Sequence, residues 1–423
     1  MTIVVITQTN RLKLIMVSRN LRFQFTLASY NILSQTLLNE HLHLYRNCNP
    51  ADLEWPRRGQ RILTELLDNQ ADIICLQEVD SEHLQSLYRP RLARHGYECL
   101  YKKKTGYKLD GCAIFYKSQM FNLLNHKGVE FNRTDITHLL NRDNVGLIAL
   151  LEPRDLKRPK ASHLVIANTH LLFNPARSDV RHAQLRYFLA QLEEISFDYH
   201  DPTRNERCHL PTILCGDLNS TPNSPLSDYI LGRRHPSRVY LGYNDDDEND
   251  DDNSADQLGT NNDHAHQTRP TADITRSESN SKPKNAASAG VRLEDLDLFS
   301  SETEATDNGE AQSKDARQSS NGSGRPPSTR AGARLAGGSE VAGQYQHSFK
   351  FKSAYPSQKP NGQLYVSTFK SDIVDHIFYT HTKLRLESYR ELLTREQLAS
   401  IGPLPNSEFP SDHLSLEAKF TLK

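Results

Sequence analysis

The six cysteines, at positions 48, 75, 99, 112, 208 and 215, contain no Cys-x-x-Cys pair, and several sit inside apolar, strand-like runs. That pattern excludes a zinc ribbon and a secreted disulfide scaffold, and the thiols read as reduced core residues of an intracellular protein. Any run approaching the ~18 apolar residues of a membrane helix is also missing, and Met1 to Ile6 is too short for a signal-peptide core. No acidic residue precedes Glu40, whereas Arg11, Lys13, Arg19 and Arg22 do. This bias is weakly presequence-like, but a core strand begins near Phe23, so a cytoplasmic or nuclear location is expected ahead of a mitochondrial one. Net charge is nearly absent as well, at −1. Nothing global therefore speaks for nucleic acid, and charge has to be judged locally. No internal repeat is visible.

Aromatic residues are missing, Phe299 excepted, from Asn244 to Gly337, where the chain is rich in Asp, Asn, Ser, Thr and Gly and opens with a run of eight that is Asp245–Asp247, Glu248, Asn249 and Asp250–Asp252. Such a segment buries too little apolar surface to offset its ordering entropy, and 244–337 is expected to be a disordered acidic insertion. Its one apolar cluster, Leu293 to Phe299, reads either as chance apolar content or as a docking motif for a protein partner. Without the insertion roughly 330 residues remain, enough for one large domain. The expected organisation is an N-terminal extension over 1–21 and one domain built from 22–243 and 338–423, resuming around Ser339 to Gln344.

The remaining sequence is punctuated by buried strands that stop at polar residues. Phe23 to Asn31 alternates apolar and polar and exits at Asn31. A helix from Trp55 carries Ile62, Leu63, Leu66 and Leu67 on one stripe, and the strand Asp72 to Val79 follows, with Glu78 at the end of its apolar run. A carboxylate there is costly to bury unless paired or metal-bound, although a surface cap is the plainer reading. Lys102, Lys103 and Lys104 form a basic run that reads first as a solvated hairpin tip. His163 to His170 is another buried strand ending in polar groups, and 179–194 is an amphipathic helix. Thr212 to Asp217 runs into Asp217-Leu218-Asn219, where a carboxylate and a carboxamide share a face if the strand persists, or form an Asx turn. Asp375 reads as a mid-strand acid that needs a partner, with a histidine the obvious one. The last strand, Leu414 to Phe420, is entered through Ser411-Asp412-His413.

Each of these strand ends has a bland reading alone. Strand ends in a layered α/β fold converge on one rim, however, so Asn31, Glu78, His170, Asp217 with Asn219, and Asp412 with His413 together argue for one site. Hydrolysing a phosphodiester needs a divalent cation for the non-bridging oxygens, a base for water and donors for developing charge. Oxygen ligands without cysteine suit Mg²⁺ or Mn²⁺.

In their order, Ser29-Tyr30-Asn31, Leu76-Gln77-Glu78, Asn168-Thr169-His170, Gly216-Asp217-Leu218-Asn219, Val374-Asp375 and Ser411-Asp412-His413 resemble the motifs of the endonuclease/exonuclease/phosphatase superfamily. Within it, Tyr30 to Gln35 and Asn168 to Pro175 look like the Angel proteins, relatives of nocturnin and the carbon-catabolite-repressor deadenylases. The resemblance implies an α/β fold, a four-layer α/β/β/α sandwich of two mixed sheets. It implies Glu78 as principal metal ligand with Asn31 beside it and Asp412 at a second position. It further implies that Asp217 activates water, that Asn219 and His170 bind the scissile phosphate, and that Asp375 orients His413. In the deadenylase relatives a Pro and a Phe sandwich the terminal base; Pro175 and Phe369 hold those places. The chain departs from the deadenylases at His376, where a Tyr is usual, at Asn174, where an Asp is usual, and in having no leucine-rich-repeat region. The expected substrate is an RNA 3′ end, be it a poly(A) tail, a 2′,3′-cyclic phosphate or another 3′ terminus. A nucleotide or inositol-phosphate phosphatase would share the catalytic set. A non-catalytic RNA-binding scaffold would be expected to have lost Glu78, Asp217 or His413, and all three are present.

Overall fold

Two parallel strand pairs, each closed by a helical crossover, frame the molecule. The computed structural model describes residues 22–154, 163–233, 347–370 and 372–423, with the backbone of an antiparallel pair at Val4–Ile6 and Lys13–Ile15. The insertion expected over 244–337, the resumption expected around Ser339 to Gln344 and the cluster Leu293 to Phe299 lie outside the described residues.

Twelve strands make the two main sheets: β1 (Gln24–Asn31), β2 (Ile73–Gln77), β3 (Tyr97–Lys103), β4 (Gly111–Lys117), β5 (Phe121–Glu130), β6 (Val145–Pro153), β7 (Leu164–His170), β8 (Thr212–Asp217), β9 (Phe351–Ser353), β10 (Asp375–Thr380), β11 (Leu384–Tyr389) and β12 (Leu416–Leu422). One six-stranded sheet has the order β11-β12-β1-β2-β4-β3, the other β9-β10-β8-β7-β6-β5. β1 and β2 are parallel, as are β7 and β8, and their other neighbours are antiparallel. A parallel pair needs a long crossover. The helices α1 (Trp55–Asp68) and α2 (Ser178–Ser196) lie in those two crossovers.

Alternation along the strands builds the layers. Phe25 and Leu27 of β1, Cys75 of β2, Ile166 of β7, Ile213 of β8 and Ile377 of β10 fill the space between the sheets. The intervening Ala28, Tyr30, Ile74 and Leu76 pack outward on Ile62, Leu63 and Leu66 of α1. On the other side Ile148, Val165, Leu214 and Phe378 meet Leu185, Phe188 and Leu192 of α2. The result is a helix/sheet/sheet/helix sandwich of two mixed sheets.

Parity carries one further consequence. Asn31, Asn168, His170, Asp217 and Asp375 continue the inward-facing series, so each points between the sheets where apolar packing stops. Asp217 pairs in register with His170 on one side and Asp375 on the other. β10 begins at Asp375, which therefore stands at a strand start and not mid-strand as its apolar flanks suggested. The six described cysteines are free thiols. Among the described residues no helix is long and apolar enough to cross a membrane.

Candidate active site

The β1 exit supplies Asn31, which is fully buried, and the chain turns immediately after it through Leu33 at φ 55°. Glu78 follows β2 at φ 58° and Asn219 follows β8 at φ 48°, both left-handed conformations that cost a non-glycine residue about 1–3 kcal/mol. These turns aim side chains from separate strands at one point. Gly216, paired with Thr169 in the β7–β8 ladder, has φ 135° and a Cβ there would meet Thr169 O at 1.9 Å, so no side chain fits next to Asp217.

Asp217 is the centre. Its Oδ2 accepts from Asn31 Nδ2 at 3.0 Å, lies 3.5 Å from His170 Nε2 and 3.8 Å from His413 Nε2. The same Asn31 Nδ2 donates to Glu78 Oε1 at 2.9 Å, and Ser34 N donates to Glu78 Oε2 at 3.0 Å. His413 Nδ1 stands 2.8 Å from Asp375 Oδ2, which also accepts from Ser367 Oγ at 2.7 Å. Asp412 is mostly buried and accepts from Tyr45 Oη at 3.0 Å.

Burial and neighbouring charge separate the protonation states. Burial, then the charge of Asp375, pushes Asp217 up to about 7. Burial and Asp412 raise Glu78. Burial disfavours the His413 imidazolium, but Asp375 in contact, helped by Asp217 and Asp412, outweighs it and raises the pKa well above the usual value. His170 goes the other way: burial, Lys104 and His413 drive it well below the usual value. The site thus holds one charged and one neutral imidazole around a carboxylate poised near neutrality, a division suited to acid–base chemistry.

A divalent cation fits this donor set. Glu78 and Asp217 converge on a single amide hydrogen-bond donor, so two carboxylates from separate strands face one point. Asp217, Asp375 and His413 also offer ligand atoms within 4.8 Å of one another. His170 Nδ1 and Asp375 Oδ1 are buried without a hydrogen-bond partner. Oxygen-rich ligation of this kind suits a hard ion.

All the expected site residues except Pro175 and Phe369 fall within this cluster or touch it. Asn219 forms an Asx turn, its N–H donating to Asp217 Oδ1 at 2.9 Å, while its Nδ2 donates to Leu171 O at 3.0 Å. The Asx-turn reading of Asp217-Leu218-Asn219 therefore holds, and the strand does not persist to Asn219. The following short helix Pro225–Ile230 is capped independently by Ser224. Pro175 is exposed, and its carbonyl accepts from Arg181 Nη2 at 3.2 Å. Phe369 is half-buried, its ring 6.3 Å from that of Tyr45. Asn168, which shares a face with His170, stitches the sheets together by donating to Leu76 O and Ala113 O and accepting from Gln77 Nε2 at 2.7 Å.

Two cations escaped sequence reasoning. Lys104 is not a solvated tip residue: it is 8% exposed, its ammonium 2.7 Å from Asp110 Oδ2, and its charge reaches Glu78 and His170. Arg58 of α1 is fully buried and holds Leu33 O at 2.7 Å, Ile32 O at 3.3 Å, Pro410 O at 2.7 Å and Gln35 Oε1 at 3.1 Å. It ties the loop after Asn31 to the loop before Asp412, and Ser411 Oγ, donating to Asn31 O at 2.8 Å, reinforces that link. Helical spacing puts Arg58 on the stripe with Ile62 and Leu66 and leaves Arg57 off it, but a charged residue at the head of an apolar stripe does not by itself say which acceptors it meets. Arg58→Met is expected to orphan several buried acceptors and cost about 3 kcal/mol or more, read by urea denaturation; near-parental stability would refute this tie.

With this geometry in hand, comparison with known proteins is decisive. The model of the Endonuclease/Exonuclease/phosphatase family matches residues 28–413. Mouse protein angel homolog 2 is 33% identical over 95% of this chain and 70% of its own length. The chain belongs to the Angel branch of the endonuclease/exonuclease/phosphatase family. The zebrafish angel homolog 2 is 44% identical over 50% of this chain and 36% of its own length. A crystal structure of ANGEL2, described as a 2′,3′-cyclic phosphatase in complex with adenosine-2′,3′-vanadate, superposes with a TM-score of 0.65 at 31% identity, covering 95% of this chain and 96% of that one. The human nocturnin catalytic domain, at 20% identity over 95% of this chain and 96% of its own with a TM-score of 0.52, shares the fold. This Angel-family chain is a phosphoester hydrolase.

Proposed function

We propose that the protein hydrolyses phosphodiesters at RNA 3′ ends, with the terminal 2′,3′-cyclic phosphate as its substrate and Mg²⁺ or Mn²⁺ as its cofactor. The observation that carries this reading is the placement of Asp217 between the Glu78–Asn31 pair and the two histidines of opposite charge state. The ANGEL2 complex with an adenosine-2′,3′-vanadate supports the choice of substrate.

Glu78 and Asn31 would hold the cation, with Asp412 available to a second. The bound ion would neutralise the non-bridging oxygens of the phosphate. Asp217, at about 7, takes a proton from the attacking water, whose oxygen bonds to phosphorus. The P–O bond to one ribose oxygen breaks, and His413, kept charged by Asp375, gives that oxygen its proton. Neutral His170 and Asn219 donate to the phosphate. The product is a 2′- or 3′-phosphomonoester, and Asp375 holds the imidazole without exchanging a proton.

The test is a panel of RNAs ending in a cyclic phosphate, a hydroxyl-terminated poly(A) tail or a plain 3′ hydroxyl, run beside nucleotides and inositol phosphates, with Mg²⁺, with Mn²⁺ and with EDTA. Opening of the cyclic end, abolished by EDTA, is expected. Hydrolysis of the small phosphates alone would replace this reading with the nucleotide or inositol-phosphate phosphatase, and full activity in EDTA would overturn the metal assignment.

A further inference from the structure

Asp80 takes no part in the chemistry above, yet three groups converge on its buried carboxylate. Ser34 Oγ donates to Asp80 Oδ1 at 2.6 Å, Thr36 N donates to Oδ2 at 3.2 Å, and His83 Nδ1 stands 3.3 Å from the same Oδ2. Burying a carboxylate is costly unless such partners meet it. Two of the three belong to the loop that leaves β1 after Asn31, so the carboxylate fastens that loop.

The loop matters because of Ser34. Its N–H donates to Glu78 Oε2 at 3.0 Å, and the Oε1 of the same carboxylate is turned to the Asn31 amide that it shares with Asp217. Ser34 Oγ also accepts from Leu37 N at 3.1 Å, capping the short helix Gln35–Glu40. The hydroxyl and the N–H of one residue are thus tied to Asp80 and to Glu78, which stand two positions apart in the chain.

The Asp80 side of this tie is rigid. Val79 and Gly111 exchange backbone hydrogen bonds at 3.0 Å, and Ser81 N donates to Leu109 O at 3.0 Å, which zips the turn after β2 onto the β3–β4 hairpin. His83 is stacked on Trp55 at the start of α1, with ring centroids 3.5 Å apart and an angle of 13° between the planes. Further along α1, Arg58 grips Leu33 O and Gln35 Oε1. The loop that carries the Ser34 N–H is therefore clamped from two sides, by Arg58 and by Asp80.

We propose that Asp80 is a positioning residue for the cation: by holding Ser34 it fixes the direction of the Glu78 carboxylate, and so sets the affinity for the divalent ion. This rests on the metal reading above and requires no particular substrate. Groups that orient a ligating side chain from behind are worth about 10- to 100-fold in metal affinity. Without the Asp80 carboxylate, the Ser34 hydroxyl and the Thr36 N–H lose a fixed acceptor, and Glu78 has to be ordered by the ion as it binds.

The experiment follows Mn²⁺ binding to the full chain by the electron paramagnetic resonance signal of the free ion. Glu78→Gln defines the part of the binding that belongs to the site, and Asp80→Asn, Ser34→Ala and the double variant are compared with the parent on that part. Asp80→Asn is expected to raise the dissociation constant about tenfold or more. The double variant is expected to lose less than the product of the two single effects, because both substitutions cut one tie. A parental dissociation constant in Asp80→Asn, with a lowered thermal unfolding temperature of the metal-free chain as its sole effect, would show a merely structural role and overturn the proposal. Full additivity in the double variant would overturn the route through Ser34. A parent whose Mn²⁺ binding equals that of Glu78→Gln would remove the cation assignment and the proposal with it.

Discussion

Asp217→Asn is expected to lower turnover by about 10³-fold or more on every phosphodiester tested, because it removes the carboxylate proposed to take the proton from water. The substitution keeps size and hydrogen-bonding shape, and it deletes a carboxylate whose burial already raises its pKa to about 7. Fold stability should therefore be unchanged or slightly higher. The contrast with Glu78→Gln is informative. Glu78 lies across the shared Asn31 amide and is assigned to the cation, so its loss should raise the Mg²⁺ concentration for half-maximal rate as well as lower the rate itself. Steady-state kinetics over a metal titration, with thermal unfolding of each variant, reads both effects. Parental turnover in Asp217→Asn would overturn the assignment of the base.

Asp375→Asn should cost roughly 10²–10⁴-fold in turnover, about as much as His413→Ala, since the two side chains are proposed to act as one acid. The Asn variant carries the more specific signature. His413 is raised above the ordinary histidine value, so its charged form is present below that ordinary value and is lost as pH rises through the elevated one. Asp375 is the leading cause of the elevation, working against burial. Without its charge the alkaline limb of the pH–rate profile should move to lower pH, and the stability that protonated His413 contributes should disappear over the same interval. A pH profile of kcat for parent and variant decides the matter; identical alkaline limbs would show that His413 is not the titrating acid.

Much of the site could be read from the chain because its residues follow apolar strands directly. A run such as Ile73 to Leu76 has to be buried, so the Glu that ends it emerges at a rim. Period-two alternation also indicates which face each side chain takes. The same signal misplaced the start of β10, since Ile373 and Val374 are apolar yet precede the ladder. Nor could it distinguish Lys104 from Lys102 and Lys103, because a hairpin's alternation says which lysines share a face but not whether that face meets solvent or Asp110.

The amino-acid sequence by itself determined where the buried strands run and which polar residues end them, since burial period and strand length are local properties that packing has only to satisfy; the layers followed from the resemblance of the motifs. Tertiary structure alone decided which strand ends meet. Asn31 and Asp217 are 186 positions apart, and Arg58 reaches Pro410 across 352. Neither separation leaves a trace in local pattern. The left-handed turns at Leu33, Glu78 and Asn219 are likewise imposed from outside, because residues with a Cβ accept that conformation only where surrounding hydrogen bonds and packing hold them in it.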